Sequence, residues 1–326
     1  MSKYMTPVLV LVLAVLAITL AYKGSVVVTG MATNLYNASY REFNVSTGNA
    51  TPVIYDASGV SGNINCYDYT NDDATKVTLN AFSNMTVVCN ETVSDDNGCQ
   101  DFNGTLAGNS LIGEFYDSTQ TQPCGSDGSK NCYNNATCAP VGACVGYMNQ
   151  TVECRYTVFY NANNTTWTGF LNVTDKTGLM DTGTDTITMD NLNALNVTNS
   201  TMNMGTLTPG SNTTTHTKGS EIANGGNIKI DLNINGTSVF DCPTNPDIDI
   251  GNLTYNYTSA GLWQTEGKAV STTATAAQFN LNSAADSVGA PTAPTDNMFW
   301  GIGIPLGTVG GQTCNATIRV AAIMDQ

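Results

Sequence analysis

The stretch NIKIDLNIN, Asn227 to Asn235, places Ile228, Ile230, Leu232 and Ile234 at every second position, with Lys229, Asp231 and Asn233 between them. A period of two belongs to a β-strand, and this one predicts a buried face of branched side chains and a wet face of polar ones. The end of the chain repeats the pattern: Cys314, Ala316, Ile318, Val320 and Ala322 are expected inward, and Asn315, Thr317 and Arg319 outward. No helical periodicity follows residue 23. Short alternating segments are instead separated by Gly, Asn, Asp and Pro clusters, so the chain reads as all-β.

Upstream, Ser25–Thr29, Lys76–Ala81, Asn84–Cys89, Glu153–Tyr160 and Trp167–Val173 carry the same signal. The last two are expected to form a hairpin around Asn161–Asn164, NANN, at an exposed tip, because asparagine tolerates the positive φ of tight turns. Residues 94–145 combine many cysteines, Gly, Asn and Asp with few apolar residues, and read as a disulfide-stapled insertion. Near residue 192 the composition changes to NVTNSTMNMGTLTPGSNTT, where a second domain begins. The expected division is therefore 1–23, 24–192 with the cysteine-rich insertion, and 193–326.

The chain has ten cysteines, all after the leader: Cys66, Cys89, Cys99, Cys124, Cys132, Cys138, Cys144, Cys154, Cys242 and Cys314. An even number in an exported chain predicts full pairing, with a closed set in each half and Cys242 joined to Cys314. There is no CxxC and the single histidine is His216, which speaks against zinc. Net charge is -15 although only 11% of residues are charged. The eleven Lys and Arg are scattered singly, so no basic stripe exists for nucleic acid.

The N-terminus, MSKYMTPVLVLVLAVLAITLAYKG, sets Lys3 before an apolar run from Pro7 to Tyr22. It reads as a signal peptide with a weak cleavage site after Ala21, or as a retained helix making a membrane contact through residues 5–22. Outside the cell, Asn-X-Ser/Thr tripeptides become acceptors for N-linked glycans. They occur at Asn37, Asn44, Asn49, Asn84, Asn90, Asn103, Asn135, Asn149, Asn163, Asn164, Asn172, Asn196, Asn199, Asn212, Asn235, Asn252, Asn256 and Asn315. This composition in random order would give about eight, so the excess points to a glycoprotein surface. The longest stretch without one, Tyr257 to Thr313, is the expected place for subunit contact, together with the N-terminal segment.

Catalysis has little to work with. His216 lies in the polar stretch TTTHTKGS and reads as a surface residue, and no GxSxG, HExxH, phosphate loop or dinucleotide fingerprint occurs. The chain is therefore read as a non-enzyme. Asp68, Asp72 and Asp73, then Asp95, Asp96, Asn97 and Asp101, then Asp247 and Asp249, supply hard oxygen ligands of the kind Ca²⁺ takes. Their spacing matches no EF-hand, and solvated turn carboxylates are the ordinary reading. Trp167, Trp263 and Trp300 each sit in or beside a strand and are expected in the core or at its rim.

Three pieces together carry a resemblance: CRYTVFYNANNTTWTGFLNVTD, MGTLTPGSNTT with IANGGNIKIDLNINGT, and FWGIGIPLGTVGGQTCNATIRVAA. They resemble immunoglobulin-like modules of archaeal exported surface proteins, with Trp300, Pro305, Gly307 and Gly311 at the matching positions and Cys314 departing from the pattern. The resemblance covers residues of about 150 to 326. It implies two immunoglobulin-like antiparallel β-sandwiches and a structural role in an extracellular filament (a pilus) or a surface layer, as a homo-oligomer, with an adhesin as the alternative. It brings no catalytic residues. Strand donation by Gly24–Thr29, GSVVVT, is one expected mode of assembly. The apolar leader also resembles an archaeal pilin helix, but it lacks the basic-Gly processing site.

Overall fold

The computed structural model describes residues 26–34, 37–45, 48–56, 59–102, 110–125, 127–134, 137–244, 246–259, 261–263 and 265–325. The leader expectations for residues 1–23 lie outside them. Among the described residues no helix is long and apolar enough to cross a membrane.

Two compact units divide the chain, Met1–Thr51 and Pro52–Gln326, a division that the sequence reading, with its first sandwich from residue 24, does not draw. The first unit contains β1 (Val26–Asn34) and β2 (Asn37–Val45), an antiparallel ribbon in register from Val26 opposite Val45 to Asn34 opposite Asn37. The expected donor segment is thus already paired from Val26 onward.

Within the second unit, one sandwich is built from β3 (Val53–Tyr55), β4 (Asn65–Asp68), β5 (Lys76–Val77), β6 (Asn84–Ser94), β7 (Ser110–Asp117), β8 (Cys132–Tyr133), β9 (Thr137–Val145), β10 (Asn149–Phe159), β11 (Thr166–Thr174) and β12 (Met180–Met189). One sheet runs β3-β6-β10-β9 with β4 also on β6, and the other runs β5-β12-β11-β7-β8. Between them Trp167, Phe115, Tyr133 and Tyr156 form an aromatic centre, with ring centroids of Phe115 and Trp167 5.0 Å apart.

Two expectations fail here. Strands β10 and β11 are not a hairpin, because they lie in opposite sheets. Their connection crosses the sandwich, and its Tyr160, Asn161 and Ala162 are buried instead of standing at an exposed tip. Alternation marks a strand but cannot name its partner. Nor is the segment 94–145 an excursion: it supplies β7 to one sheet and β9 to the other, and Phe115 of β7 is fully buried. Its averaged polarity hid the eight-residue strand SLIGEFYD.

The second sandwich follows with β13 (Leu195–Val197), β14 (Lys218–Asn224), β15 (Ile230–Gly236), β16 (Val239–Phe240), β17 (Ile248–Asp249), β18 (Leu253–Asn256), β19 (Lys268–Ala269), β20 (Thr275–Leu281), β21 (Thr295–Ile302) and β22 (Ile318–Met324). A five-stranded sheet, β13-β14-β21-β18-β19, faces the three-stranded sheet β20-β15-β22. Ile230, Leu232 and Ile234 are buried as the opening pattern requires, against Trp300, Tyr255 and Met298. Both sandwiches are built of antiparallel sheets, apart from the parallel pairing of Thr188–Met189 with Lys76–Val77 and the parallel bridge between Asn63 and Thr184.

Asp231 departs from the predicted wet face. The β15–β20 register shifts between Ile230 and Leu232, and Asp231 is buried in the irregularity, where its Oδ1 accepts hydrogen bonds from Phe279 N (2.8 Å) and Asn280 N (2.9 Å). A bulge frees backbone donors, and the carboxylate takes them up.

The two sandwiches meet through hydrogen bonds made by asparagines and loops. Asn227 Nδ2 donates to Ala162 O and Asp190 O, each at 2.9 Å, and Asn161 Nδ2 donates to Ala285 O at 3.0 Å. The loop after β20 docks on the first sandwich through Ser129 N to Ser287 O and Lys130 N to Asp286 Oδ1, both 2.8 Å.

Candidate functional site

Unpaired sheet edges attract other strands, so soluble proteins blunt them by shortness, proline, bulges or charge. In the unit Pro52–Gln326 the edges β3 and β13 have three residues, and β5, β8 and β19 have two. Edge β9 carries Pro140, Gly142 at φ 72° and an irregularity opposite Asn149–Thr151. Edge β20 is broken by the irregularity at Asp231 and by Asn280 at φ 58°.

Strand β22 carries one charge, the exposed Arg319, and none of the other devices. Its seven residues, IRVAAIM, pair with β15 in unbroken register from Met324 opposite Ile230 to Ile318 opposite Gly236. Within the same sheet the inward residues of β20, Ala277, Phe279 and Leu281, are 0–7% exposed, while Ile318, Val320 and Ala322 of β22 are only half-buried. Among the described residues, one hydrogen bond reaches a backbone group of β22 from outside β15, Asn193 Nδ2 to Ala322 O at 3.1 Å. The expectation that these residues face inward therefore holds in direction, with the core beneath them incompletely covered. That leaves an edge of unbroken register, apolar apart from Arg319, able to accept another strand.

The asparagines of the Asn-X-Ser/Thr tripeptides are the next set of expected site residues. Those with described side chains are all exposed or half-buried, from Asn49, Asn84 and Asn149 to Asn315. Asn37 and Asn44 fall on β1–β2, and Asn103 and Asn135 lie outside the described residues. The tandem pair is unequal. Asn163 is half-buried and its Nδ2 donates to Asp117 Oδ2 at 2.9 Å, whereas Asn164 is exposed and reaches Asn191 Oδ1 at 2.7 Å. Burial pushes the Asp117 carboxyl up, but hydrogen bonds from Thr119 and Asn163 outweigh it and hold the group below the usual carboxylate range.

All ten cysteines are paired: Cys66–Cys89, Cys99–Cys144, Cys124–Cys132, Cys138–Cys154 and Cys242–Cys314. Two of the bridges join facing residues of neighbouring strands and press on glycines of the opposite sheet. A Cβ at Gly169 would stand 2.1 Å from Cys66 Sγ, and one at Gly113 would stand 2.6 Å from Cys138 Sγ.

His216 is fully buried, not a surface residue. Its Nδ1 faces Gly261 O and its Nε2 faces Thr254 Oγ1, both at 2.8 Å, and since a carbonyl only accepts, Nδ1 carries the proton. The ring is a structural link in a polar stretch that sequence alone placed on the surface. Trp167 and Trp300 are core residues, while Trp263 is half-buried against Gly303.

The acidic clusters separate. Asp68 is satisfied by Thr70 N, Asn71 and Thr78 N; Asp73 caps Thr75 and Lys76; Asp72 is exposed; Asp247 and Asp249 hold the backbone of Cys242 and Gly251. In the group Asp95, Asp96, Asn97 and Asp101, Asp96 and Asn97 are exposed, but Asp95 and Asp101 are buried and meet Asp175, a residue outside every predicted cluster.

The bare stretch Tyr257–Thr313 is in large part core, since it holds β20 and β21 and the loop docked on the first sandwich. Its large exposed apolar residues are Leu262, Val288, Leu306 and Val309.

No protein family model matches the chain. No curated protein matches it either. Among solved structures, it is similar to one named BspA_C_WT, with 8% identity, 84% of this chain and 100% of that chain covered, and a TM-score of 0.21. It is also similar to one described as "Chaperone-tip adhesin complex is vital for synergistic activation of CFA/I fimbriae biogenesis", with 10% identity, 92% of each chain covered, and a TM-score of 0.27. At these scores the likeness carries no argument about function, which rests on this chain's own residues.

Proposed function

We propose that this chain is a structural glycoprotein subunit of an extracellular surface assembly, a filament or surface layer of the archaeal type its sequence resembles, which joins its copies by adding a strand to β22. The observation that carries the reading is the contrast within one sheet: β20 covers its core and has a broken edge, whereas β22 keeps an unbroken register, is apolar apart from Arg319, and is half-covered. Strand addition supplies main-chain hydrogen bonds along such an edge and covers the side chains beneath it.

The incoming strand is assigned to the ribbon β1–β2 of a neighbouring copy, whose VVVTGMA is apolar and which has no third strand among the described residues. A lone two-stranded ribbon is marginal in water, so pairing would stabilise both partners. Five disulfides suit the oxidising conditions outside a cell, and fourteen of the asparagine acceptors have described side chains, none of them buried. The chain is taken as a non-enzyme, with N-linked glycans and its own copies as partners.

Negative-stain microscopy of the purified full chain tests this: regular filaments or sheets support it. A monomer by light scattering at high concentration, with and without calcium, would count against it and favour the adhesin reading.

A further inference from the structure

Asp95 follows β6 in one sheet of the first sandwich, and Asp175 follows β11 in the other. Between them the segment after Asp95 folds back in a tight turn. Asn97 N donates to Asp95 Oδ1 at 2.7 Å, Gly98 stands at φ 100°, and a 3-10 turn, Cys99–Asp101, delivers the third carboxylate. The disulfide Cys99–Cys144 and the hydrogen bonds Cys99 N to Tyr147 O (3.0 Å) and Lys176 N to Asp101 O (3.0 Å) fix the turn against both sheets.

One oxygen from each of Asp95, Asp101 and Asp175 lies within 4.8 Å of the others, and the three residues are 0–2% exposed. Lys176 Nζ pairs with Asp101 Oδ1, so one ammonium faces three carboxylates. Asp175 Oδ1 already accepts from Thr177 N and Leu179 N. What separates this cluster from the other acidic turns is that Asp95 Oδ2 and Asp101 Oδ2 are buried and, among the described residues, have no hydrogen-bond partner. A buried carboxylate oxygen without a donor is costly, and a cation removes that cost for both at once.

We infer that Asp95, Asp101 and Asp175 form a structural Ca²⁺ site that ties the two sheets of the first sandwich together at one end. The ligands are hard oxygens with no histidine or thiol among them, which excludes a zinc-type donor set. Two ligands of one Ca²⁺ lie at most about 5 Å apart, given Ca–O distances of about 2.3–2.6 Å, whereas Mg²⁺ at about 2.0–2.1 Å demands a tighter cage. Three carboxylates leave room for water or backbone oxygens to complete six to eight ligands. The site is independent of the assembly proposed above.

The test uses chelator-treated full chain, with CaCl2 and MgCl2 as probes, followed by titration calorimetry and thermal unfolding. Ca²⁺ at about 100-fold over its Kd should raise Tm by roughly 5–10 °C, with Mg²⁺ giving much less. Asp95→Asn and Asp101→Asn each keep one carbonyl oxygen in place, and should weaken Ca²⁺ binding at least tenfold and remove the shift. The exposed control Asp72→Asn should behave as the parent. Absence of Ca²⁺ heat and of a Tm shift in the parent would overturn the site, whether or not the variants fold. So would an undiminished Ca²⁺ response in folded Asp95→Asn or Asp101→Asn.

Discussion

The first sandwich is locked and the second is left partly open. Four disulfides, a stacked aromatic centre and short or broken edges close the first, whereas the second has the single bridge Cys242–Cys314 and ends its smaller sheet on the unbroken strand β22, whose one charge is Arg319. The difference teaches that disulfides and core completion are alternative ways to stiffen a sandwich. Where the chain invests in neither, the geometry leaves room for a partner strand.

The largest effect expected from breaking this contrast is at the lone bridge. Replacing Cys242 and Cys314 by Ala opens a separation of 72 residues, and chain-entropy reasoning gives a loss of about 4 kcal/mol. Replacing Cys124 and Cys132, separated by 8 residues, should lose about 2.5 kcal/mol, with three other bridges still closing that sandwich. Denaturant unfolding under non-reducing conditions measures both.

Next comes Gly169→Ala, whose new methyl would collide with the Cys66–Cys89 bridge. A disulfide cannot swing aside like the end of a flexible side chain, so destabilisation of about 1–3 kcal/mol is expected by the same assay. Gly178→Ala serves as its control: no atom stands near the added Cβ, and the cost there comes from the backbone at φ 89°.

The Asp117–Asn163 contact gives a smaller, pH-dependent effect. Because hydrogen bonds hold the folded-state pKa of Asp117 below its unfolded value, the stability it contributes is present above the ordinary carboxylate range and is lost as pH falls through the depressed value. Asn163→Ala should therefore flatten the acid side of the stability curve. An unchanged slope would mean that the contact contributes nothing. The same contact predicts a difference with no stability cost: glycopeptide mass spectrometry should find sugar on exposed Asn164 and little on Asn163, and the reverse would contradict the placement.

Much of the fold is legible in the residues. The period-two pattern of Ile230, Leu232 and Ile234 marks a buried strand face directly, because burial and alternation are both local. Asp231 is misread for the opposite reason: its partners, Phe279 N and Asn280 N, are exposed by an irregularity that exists only once β15 meets β20. His216 fails similarly, since its burial depends on Gly261 and Thr254, some forty residues away. The NANN crossing and β7 show that local composition neither assigns a strand to a sheet nor reveals a short strand inside a polar stretch. For the acidic site, Asp95 and Asp101 stand out in the sequence as one cluster, but Asp175 enters only through the packing of two sheets.

The central claim is that β22 receives a strand from another copy. Hydrogen–deuterium exchange of the full chain, compared between dilute monomer and concentrated assembly, tests it at the strand itself. The account predicts that amides of Ile318–Met324 gain at least tenfold protection on assembly while those of Thr275–Leu281 in β20 change little. Assembled particles whose β22 amides exchange as fast as in the monomer would contradict it.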